Sequence, residues 1–394
     1  IKMVNLFISR KIETRIHNTL EDGSMKAHID KVSLVQVLQK IQSTTEKKTH
    51  MPILSNVLMN AIQDQQMMEF TATDLELSIW TQLKASIEEP GSVTVSARKL
   101  LEIVRELPQE VVEFEARLGN RLMVRAGRAR FELATIPADD FPFVHFFEAV
   151  PRIPFDRKFL REAFAKTLYC IPSDEDPFSV AGLFWHRLES GAFRFVASDG
   201  HRLVYSEVPG TAFQGLDLER GVIMPRKGVQ EILKLLEKDG DASLAIHENS
   251  LLLSIPDALL NVQLLDAEFP EYQLIIPDKR PFSFAAEKES FLQALKRASL
   301  VSDQKWRHVR LQLRPGLLEL QAGNPETGQA SDAVDVDYSG DEFIISFNIK
   351  YVIEAIQAIE SSRIRFEWVD QFHGGVFVGE GDSSCLGLIM PMVV

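Results

Sequence analysis

The sequence predicts an α+β fold made of three copies of one unit, each with antiparallel sheets and two helices. Three recurring patterns carry this reading. A strand running into a turn reads Phe70-Thr71-Ala72-Thr73-Asp74, then Phe195-Val196-Ala197-Ser198-Asp199, then Leu320-Gln321-Ala322-Gly323-Asn324, in two equal steps of 125 residues. A helix with a Lys near its start recurs as Ala97-Arg98-Lys99-Leu100-Leu101, Pro225-Arg226-Lys227-Gly228-Val229 and Asn348-Ile349-Lys350-Tyr351-Val352, each running on with apolar residues at helical spacing. A strand closes each unit: Phe131 to Pro137, Leu260 to Asp266 and Ser384 to Pro391.

The remaining elements fall between these landmarks. Each unit opens with an acid before a helix: Asp30-Lys31-Val32-Ser33-Leu34, Asp156-Arg157-Lys158-Phe159-Leu160 and Glu287-Lys288-Glu289-Ser290-Phe291. A carboxylate there complements the helix dipole. Alternating segments such as Val111–Phe114 and Leu251–Ile255 read as strands. Asp140-Phe141-Pro142 and Glu268-Phe269-Pro270 lead into the next copy. The order is helix, strands, helix, strands, with domains predicted at 25–147, 148–278 and 279–394. Residues 1–24 end in Asp22-Gly23-Ser24 ahead of Met25-Lys26 and read as a fusion leader outside the fold. The 394 residues, 45% of them hydrophobic, suffice for two or three ordinary cores.

A formal charge of -13, taken alone, opposes binding to phosphate. Its distribution points the other way. The helical segments 30–48, 96–107, 156–168, 225–238, 287–307 and 348–362 together carry +8, leaving -21 on the rest of the chain. Helices packed on one face of a sheet would put the two signs on opposite sides, and the basic side could hold a polyanion. The same count fits Lys and Arg side chains that only solvate a helix surface, so composition leaves both readings open. Cys170 and Cys385 form no CxxC or Cys/His spacing, which argues against a disulfide framework or a zinc site and suits a reducing cytosol, and no cofactor is expected. No apolar run approaches the ~18–20 residues of a membrane span.

Two acidic motifs invite an enzymatic reading. Asp74, Glu76 and Asp199 could hold Mg²⁺ in a nuclease or nucleotidyltransferase. The third copy, however, has Asn324-Pro325-Glu326, and Asp, Asp and Asn all suit a turn in which a short polar side chain bonds its own backbone. No P-loop, GxSxG or HExxH is present. His201-Arg202-Leu203 differs from its repeat partners, and His201 reads either as a buried structural residue or as one with a local role. Leu388-Ile389-Met390-Pro391-Met392-Val393-Val394 is apolar throughout. Leu388 belongs to a last core strand, and Pro391 stops the ladder, leaving Met392 to Val394 as exposed apolar surface suited to binding varied partners.

Taken in order, Pro52-Ile53-Leu54, Thr73-Asp74-Leu75-Glu76, Ala97-Arg98-Lys99, Asp140-Phe141-Pro142, Ser198-Asp199-Gly200-His201-Arg202-Leu203, Pro225-Arg226-Lys227-Gly228-Val229, Phe269-Pro270-Glu271-Tyr272, Tyr338-Ser339-Gly340, Phe347-Asn348 and Met390-Pro391-Met392 give a set far more specific than any one of them. On these motifs the chain from Met25 to Val394 resembles the β sliding clamp of bacterial DNA polymerase III. The resemblance implies three clamp domains with helices inside and sheets outside, in a head-to-tail homodimer that closes a ring. It implies a non-catalytic processivity factor that holds duplex DNA without reading sequence, which resolves the charge question toward a basic inner face. The implied partners are the clamp loader, the replicative polymerase and other proteins carrying a clamp-binding motif, with no membrane and a cytoplasmic location.

Residue roles follow from the resemblance by position. Lys48 and Arg98 fall where relatives face DNA. A single-strand contact, made in relatives by a Gln and two Tyr, maps onto Asp174, Phe178 and Ser179; Phe178 can still stack on a base, whereas Asp174 carries the wrong charge. The partner-peptide pocket maps onto Val180, Ser198, Gly200, His201, Arg202, Leu203, Pro270, Leu274, Ile275, Asn348, Tyr351 and Leu388, Ile389, Met390, Pro391, Met392, Val393 and Val394. Leu274 and Val393 stand where the family commonly has Arg, which implies a more apolar pocket less able to pair acidic peptide residues. The dimer contact maps onto Phe131 and Leu133 of one subunit against Leu300 and Val301 of the other.

Overall fold

Side-chain caps start three of the helices where the repeat places them. The computed structural model describes residues 25–45, 51–117, 119–147, 149–173, 182–218, 220–302, 307–324 and 328–392. Residues 1–24, on which the leader reading falls, and Lys48, Asp174, Phe178, Ser179, Val180, Val393 and Val394 lie outside the described residues. Six α-helices are seen among the described residues: α1 Lys31–Ile41, α2 Ala97–Glu106, α3 Arg157–Thr167, α4 Arg226–Leu235, α5 Lys288–Ser299 and α6 Ile349–Ala358. Asp30 accepts a hydrogen bond from the Ser33 N–H at 2.8 Å, Ser96 from that of Lys99 at 3.4 Å, and Asn348 from that of Lys350 at 3.0 Å. Glu287 stands at the start of α5 without such a bond; its carboxylate reaches Arg363 at 2.8 Å instead.

Two helices are shorter than predicted. α1 ends at Ile41 rather than near residue 48, and α5 at Ser299 rather than near 307. At the end of α5 the Ser299 hydroxyl donates to the Lys296 carbonyl at 2.7 Å, satisfying an acceptor the helix would otherwise have carried forward. The buried faces repeat at three- and four-residue steps: Leu34, Val37, Leu38 and Ile41 in α1; Phe291, Leu292, Leu295 and Ala298 in α5; Val352, Ala355 and Ile356 in α6. α1 packs on α2, and α5 on α6. The six helices hold sixteen Lys and Arg against six Asp and Glu, so they are cationic within a chain of -13.

The strands sort into two compact units. One comprises residues up to Arg157 together with Lys234–Leu264; the other comprises Lys158–Leu233 and Leu265–Val394. Among the described residues the first carries a 13-stranded sheet and the second a 12-stranded one. In the first unit, strand Leu77–Lys84 of the first repeat pairs antiparallel with Ala258–Gln263 of the second, Ile79 opposite Leu260 and Leu77 opposite Val262. Phe141, Val144 and Phe146 cover this seam, packed on Trp80 and Leu259. In the second unit, strand Arg202–Val208 of the second repeat pairs with Asp382–Ile389 of the third, Leu203 opposite Leu388 and Val204 opposite Gly387. The division therefore runs through the middle copy of the repeat, whose strands belong to two sheets.

The closing strands are Ala129–Ile136, Ala258–Gln263 and Asp382–Ile389, each ending sooner than predicted. Pro137 and Pro391 have no N–H to extend the ladder, and past Gln263 only Leu265 bridges onward, to Ile223. The third repeat's core contains Phe284, Phe291, Leu311, Leu320, Phe347, Ile356, Phe366 and Trp368. Phe291 is fully buried, and truncating it leaves a cavity that neighbouring rings cannot fill by small shifts. The Phe291→Ala variant is expected to lose about 3–5 kcal/mol, read as a lower urea midpoint at unchanged slope.

Candidate functional site

The acidic motifs form two copies of one turn. Asp74 Oδ1 accepts from the N–H groups of Glu76 (3.1 Å) and Leu77 (2.7 Å), and Thr73 Oγ1 accepts from Leu75 N–H at 3.0 Å. Asp199 Oδ1 accepts from His201 and Arg202, both at 3.1 Å, and Ser198 Oγ from Gly200 N–H at 3.4 Å. Leu75 and Gly200 take the same left-handed conformation, with φ of 79° and 82°. Both carboxylates are thus committed to backbone donors. Asp74 and Glu76 lie in the first unit and Asp199 in the second. Among the described residues no group of three or more His, Cys, Asp or Glu could hold a metal ion.

The second turn leads into an apolar surface built within the second unit. Leu203 and Leu388, opposite one another in the sheet, are buried with Val196, Tyr205, Val376, Leu386 and Tyr272. Phe269 and Ile276 pack on the same cluster, so the short helical turn Tyr272–Ile275 rests on it. Tyr272 is anchored below: Arg194 donates to its hydroxyl at 3.1 Å, and the hydroxyl lies 2.9 Å from His186 Nε2. Burial, with Arg194 nearby, lowers the His186 pKa, which keeps that imidazole neutral and able to accept. Above this anchor Leu274 is 80% exposed, Ile275 47% and Met390 39%. The tail is held at two points, Met390 N–H to His201 O (2.9 Å) and Met392 N–H to Ser346 O (2.8 Å).

The structure assigns the other predicted pocket residues different stations. Leu388 and Ile389 are core, while Pro391 and Met392 are half-buried, so Met392 is not the bare apolar surface expected; its backbone bond to Ser346 tucks it in. His201 is exposed, which removes the buried-histidine reading. Gly200 and Pro270 are exposed; Ser198 and Asn348 are half-buried, and Asn348 caps α6. Arg202 is buried instead of facing outward. Its guanidinium donates to Asp199 Oδ2 (2.8 Å), to the Tyr169 carbonyl (2.8 Å) and to Glu354, and lies over the rings of Tyr351 (4.0 Å) and Tyr169 (5.0 Å). This one side chain joins the turn to α6.

The sequence reading missed Glu354, Tyr169, Arg194 and His186. The signal for Glu354 was present: it is the only acid on α6, one turn after Lys350 and three residues after Tyr351. Arg98 projects from α2 with 69% of its side chain exposed; it and Lys99 both pair with Glu102, at 3.0 and 2.8 Å. In the first unit, strand Ala129–Ile136 pairs along its length with Arg121–Ala126, but on its other side only at Thr135 and Ile136. Phe131 and Leu133 therefore lie on a free edge, Phe131 exposed. In the second unit, strand Gly328–Asp337 pairs fully with Leu317–Asn324 and on its other side only at Val336 and Asp337. Leu300 is 83% exposed just past α5, followed by half-buried Val301.

Models of the DNA polymerase III beta subunit match nearly the whole chain: the N-terminal domain over residues 25–145, the central domain over 155–271 and the C-terminal domain over 273–393. The chain belongs to the β sliding clamp family. It is 34% identical to the beta sliding clamp of Caulobacter vibrioides, over 94% of this chain and all of that one. It is 31% identical to that of Vibrio cholerae, over 93% of this chain and again all of the relative. A C. crescentus clamp with PEG bound to its proposed β-motif tethering region superposes at TM-score 0.88, with 33% identity, 95% of this chain and 100% of that one covered. A clamp from Bartonella birtlesii bound to griselimycin does so at 0.86, with 28% identity, 94% of this chain and 100% of that one covered.

The function is accordingly that of a DNA sliding clamp, a processivity factor with no catalytic activity of its own. The Mg²⁺-dependent nuclease or nucleotidyltransferase reading of Asp74, Glu76 and Asp199 is overturned by this membership and by the turn geometry. No helix among the described residues is long and apolar enough to cross a membrane. Asp74→Ala, which strands two N–H groups, is expected to cost about 1–3 kcal/mol. Labelled DNA incubated with Mg²⁺ is expected to stay intact with wild type and variant alike; hydrolysis lost in the variant would revive the enzymatic reading.

Proposed function

We propose that the apolar surface of the second unit holds a short peptide of each partner protein, and that two chains close head to tail around duplex DNA. What supports the first part is the exposure of Leu274, Ile275 and Met390 around a rigid, fully packed base. Large apolar side chains kept in water beside an anchored cluster suit a ligand that brings its own apolar side chains. The partners in this reading are the clamp loader, the replicative polymerase and other proteins with a clamp-binding motif. Leu274→Asp is expected to weaken binding of a labelled partner peptide at least tenfold while leaving sedimentation of the dimer unchanged. Unaltered affinity would place the peptide site elsewhere.

The repeat supports the second part. First-repeat strand Leu77–Lys84 takes the closing strand of the second, and second-repeat strand Arg202–Val208 takes that of the third. The third-repeat counterpart, Gly328–Asp337, has a free edge, and so does the closing strand of the first repeat, Ala129–Ile136. A second copy supplies the missing pairing, with Leu300 and Val301 beside it. Transferring the register of the two internal seams, Ile79 with Leu260 and Val204 with Gly387, sets Phe131 opposite Ala330 of the partner copy. The cationic helices, with Arg98 on α2 and Lys48 beyond α1, then face the duplex. Repeat limits at 25–147, 148–278 and 279–394 and a cytoplasmic location belong to the same reading.

A chain carrying Phe131→Cys and Ala330→Cys tests ring and register together. Oxidation is expected to give a cross-linked dimer that stays on circular DNA through denaturant and leaves once the DNA is cut. Cross-linking that succeeds only with Cys moved to Ser331 would reject the register. A strictly monomeric protein at micromolar concentration would reject the ring.

A further inference from the structure

The elements around the apolar surface carry few charges, and they are arranged unevenly. The turn Ser198–Leu203 has Asp199 and Arg202, with His201 exposed; α6 has Lys350 and Glu354; the segment Pro270–Ile275 has Glu271. Leu388 to Met392 has none. Arg194, beneath Tyr272, is paired with Glu207; among the described residues of the elements just named the permanent cations are Arg202 and Lys350, and one carboxylate serves both. Glu354 takes a hydrogen bond from Arg202 Nη1, and its other oxygen lies 3.6 Å from Lys350 Nζ. Asp199 holds the same guanidinium from the other side at 2.8 Å. Lys350 is half exposed, so its charge reaches the surface unless Glu354 cancels it.

Resting on the peptide-site reading above, we propose that Glu354 is a specificity-determining residue: by masking Arg202 and Lys350 it makes the site indifferent to acidic side chains and selects partner peptides on apolar fit alone. The physical reason is local neutrality. A cation already paired to a carboxylate offers an incoming Asp or Glu little net attraction, while that acid still loses hydration on docking. Arg202 also cannot swing out to meet a ligand, because the Tyr169 carbonyl and two aromatic rings fix its plane. Its part is to position Tyr351 and the turn, and Glu354 completes that brace.

The test uses the full-length dimer and two fluorescein-labelled octapeptides. Both have the same Leu and Phe residues; one carries two Asn and its twin carries Asp at those positions. Wild type is expected to bind the twins within about twofold. Glu354→Gln, which keeps the hydrogen-bonding shape and removes the charge, is expected to favour the acidic twin by about fivefold, the scale of one charge pair at 4 Å in water. That preference shrinks as salt rises. Glu354→Asp retains the mask and behaves as wild type. Lys350→Gln, on the exposed end of the same pair, shifts preference the opposite way and so tests the idea even if Glu354→Gln folds poorly. A twin ratio that stays at the wild-type value in both substitutions, with unfolding midpoints intact, would overturn the proposal. If neither twin binds wild type, or if Leu274→Asp leaves the Asn twin unaffected, the peptide-site reading itself fails and takes this one with it.

Discussion

Backbone hydrogen bonding between neighbouring copies of the repeat governs the rest of this structure. A strand from one copy completes the sheet of the next at two places, with matching register: Leu77 lies opposite Val262, and Arg202 opposite Ile389. Main-chain pairing ignores side-chain identity, so the three copies can diverge while the joint is kept. Side chains then specialise each joint. The first is roofed by Phe141, Val144 and Phe146. At the second, the strand that begins with Arg202 starts directly from the turn Asp199 organises. The apolar surface of the second unit thus grows out of a structural seam, and its rigidity comes from sheet hydrogen bonds rather than from the exposed residues themselves.

The repeat and its helices were legible because their signals are local. The 125-residue spacing located the turns, and an acid, or a Lys near the first turn, ahead of an apolar stripe located helix starts; Asp30 is such an acid and does cap its helix. The turn reading of Asp74 and Asp199 was available for the same reason, since each carboxylate bonds N–H groups two and three residues ahead. Helix ends were less visible. They rest on side chains such as Ser299, whose hydroxyl turns back on the carbonyl of Lys296, and no repeated pattern marks such a contact in the sequence.

The site was legible as a set of positions but not as a set of roles. Arg202 enters the sequence reading only as a pocket position; in the fold it is a buried brace, because Asp199, Glu354 and the Tyr169 carbonyl meet it from three elements. Tyr272 reads as one aromatic among many, yet His186 and Arg194, far away in sequence, decide that it anchors the wall under Leu274. Such convergence is a property of three-dimensional packing: local spacing can single out Glu354 on its helix, but it does not say which residue 78 to 152 positions away a side chain will meet.

The two free edges differ in more than position. Strand Gly328–Asp337 carries Asp332, Asp335 and Asp337 and no cation, whereas Ala129–Ile136 carries Arg130 and Glu132, preceded by Arg128. Asp332 and Asp337 are already paired, with Arg297 at 2.6 Å and with Arg363, so two copies of this edge brought together would set the Asp335 carboxylates against each other. That acid works against the pairing of like edges, the route by which an exposed strand recruits further copies of its own chain.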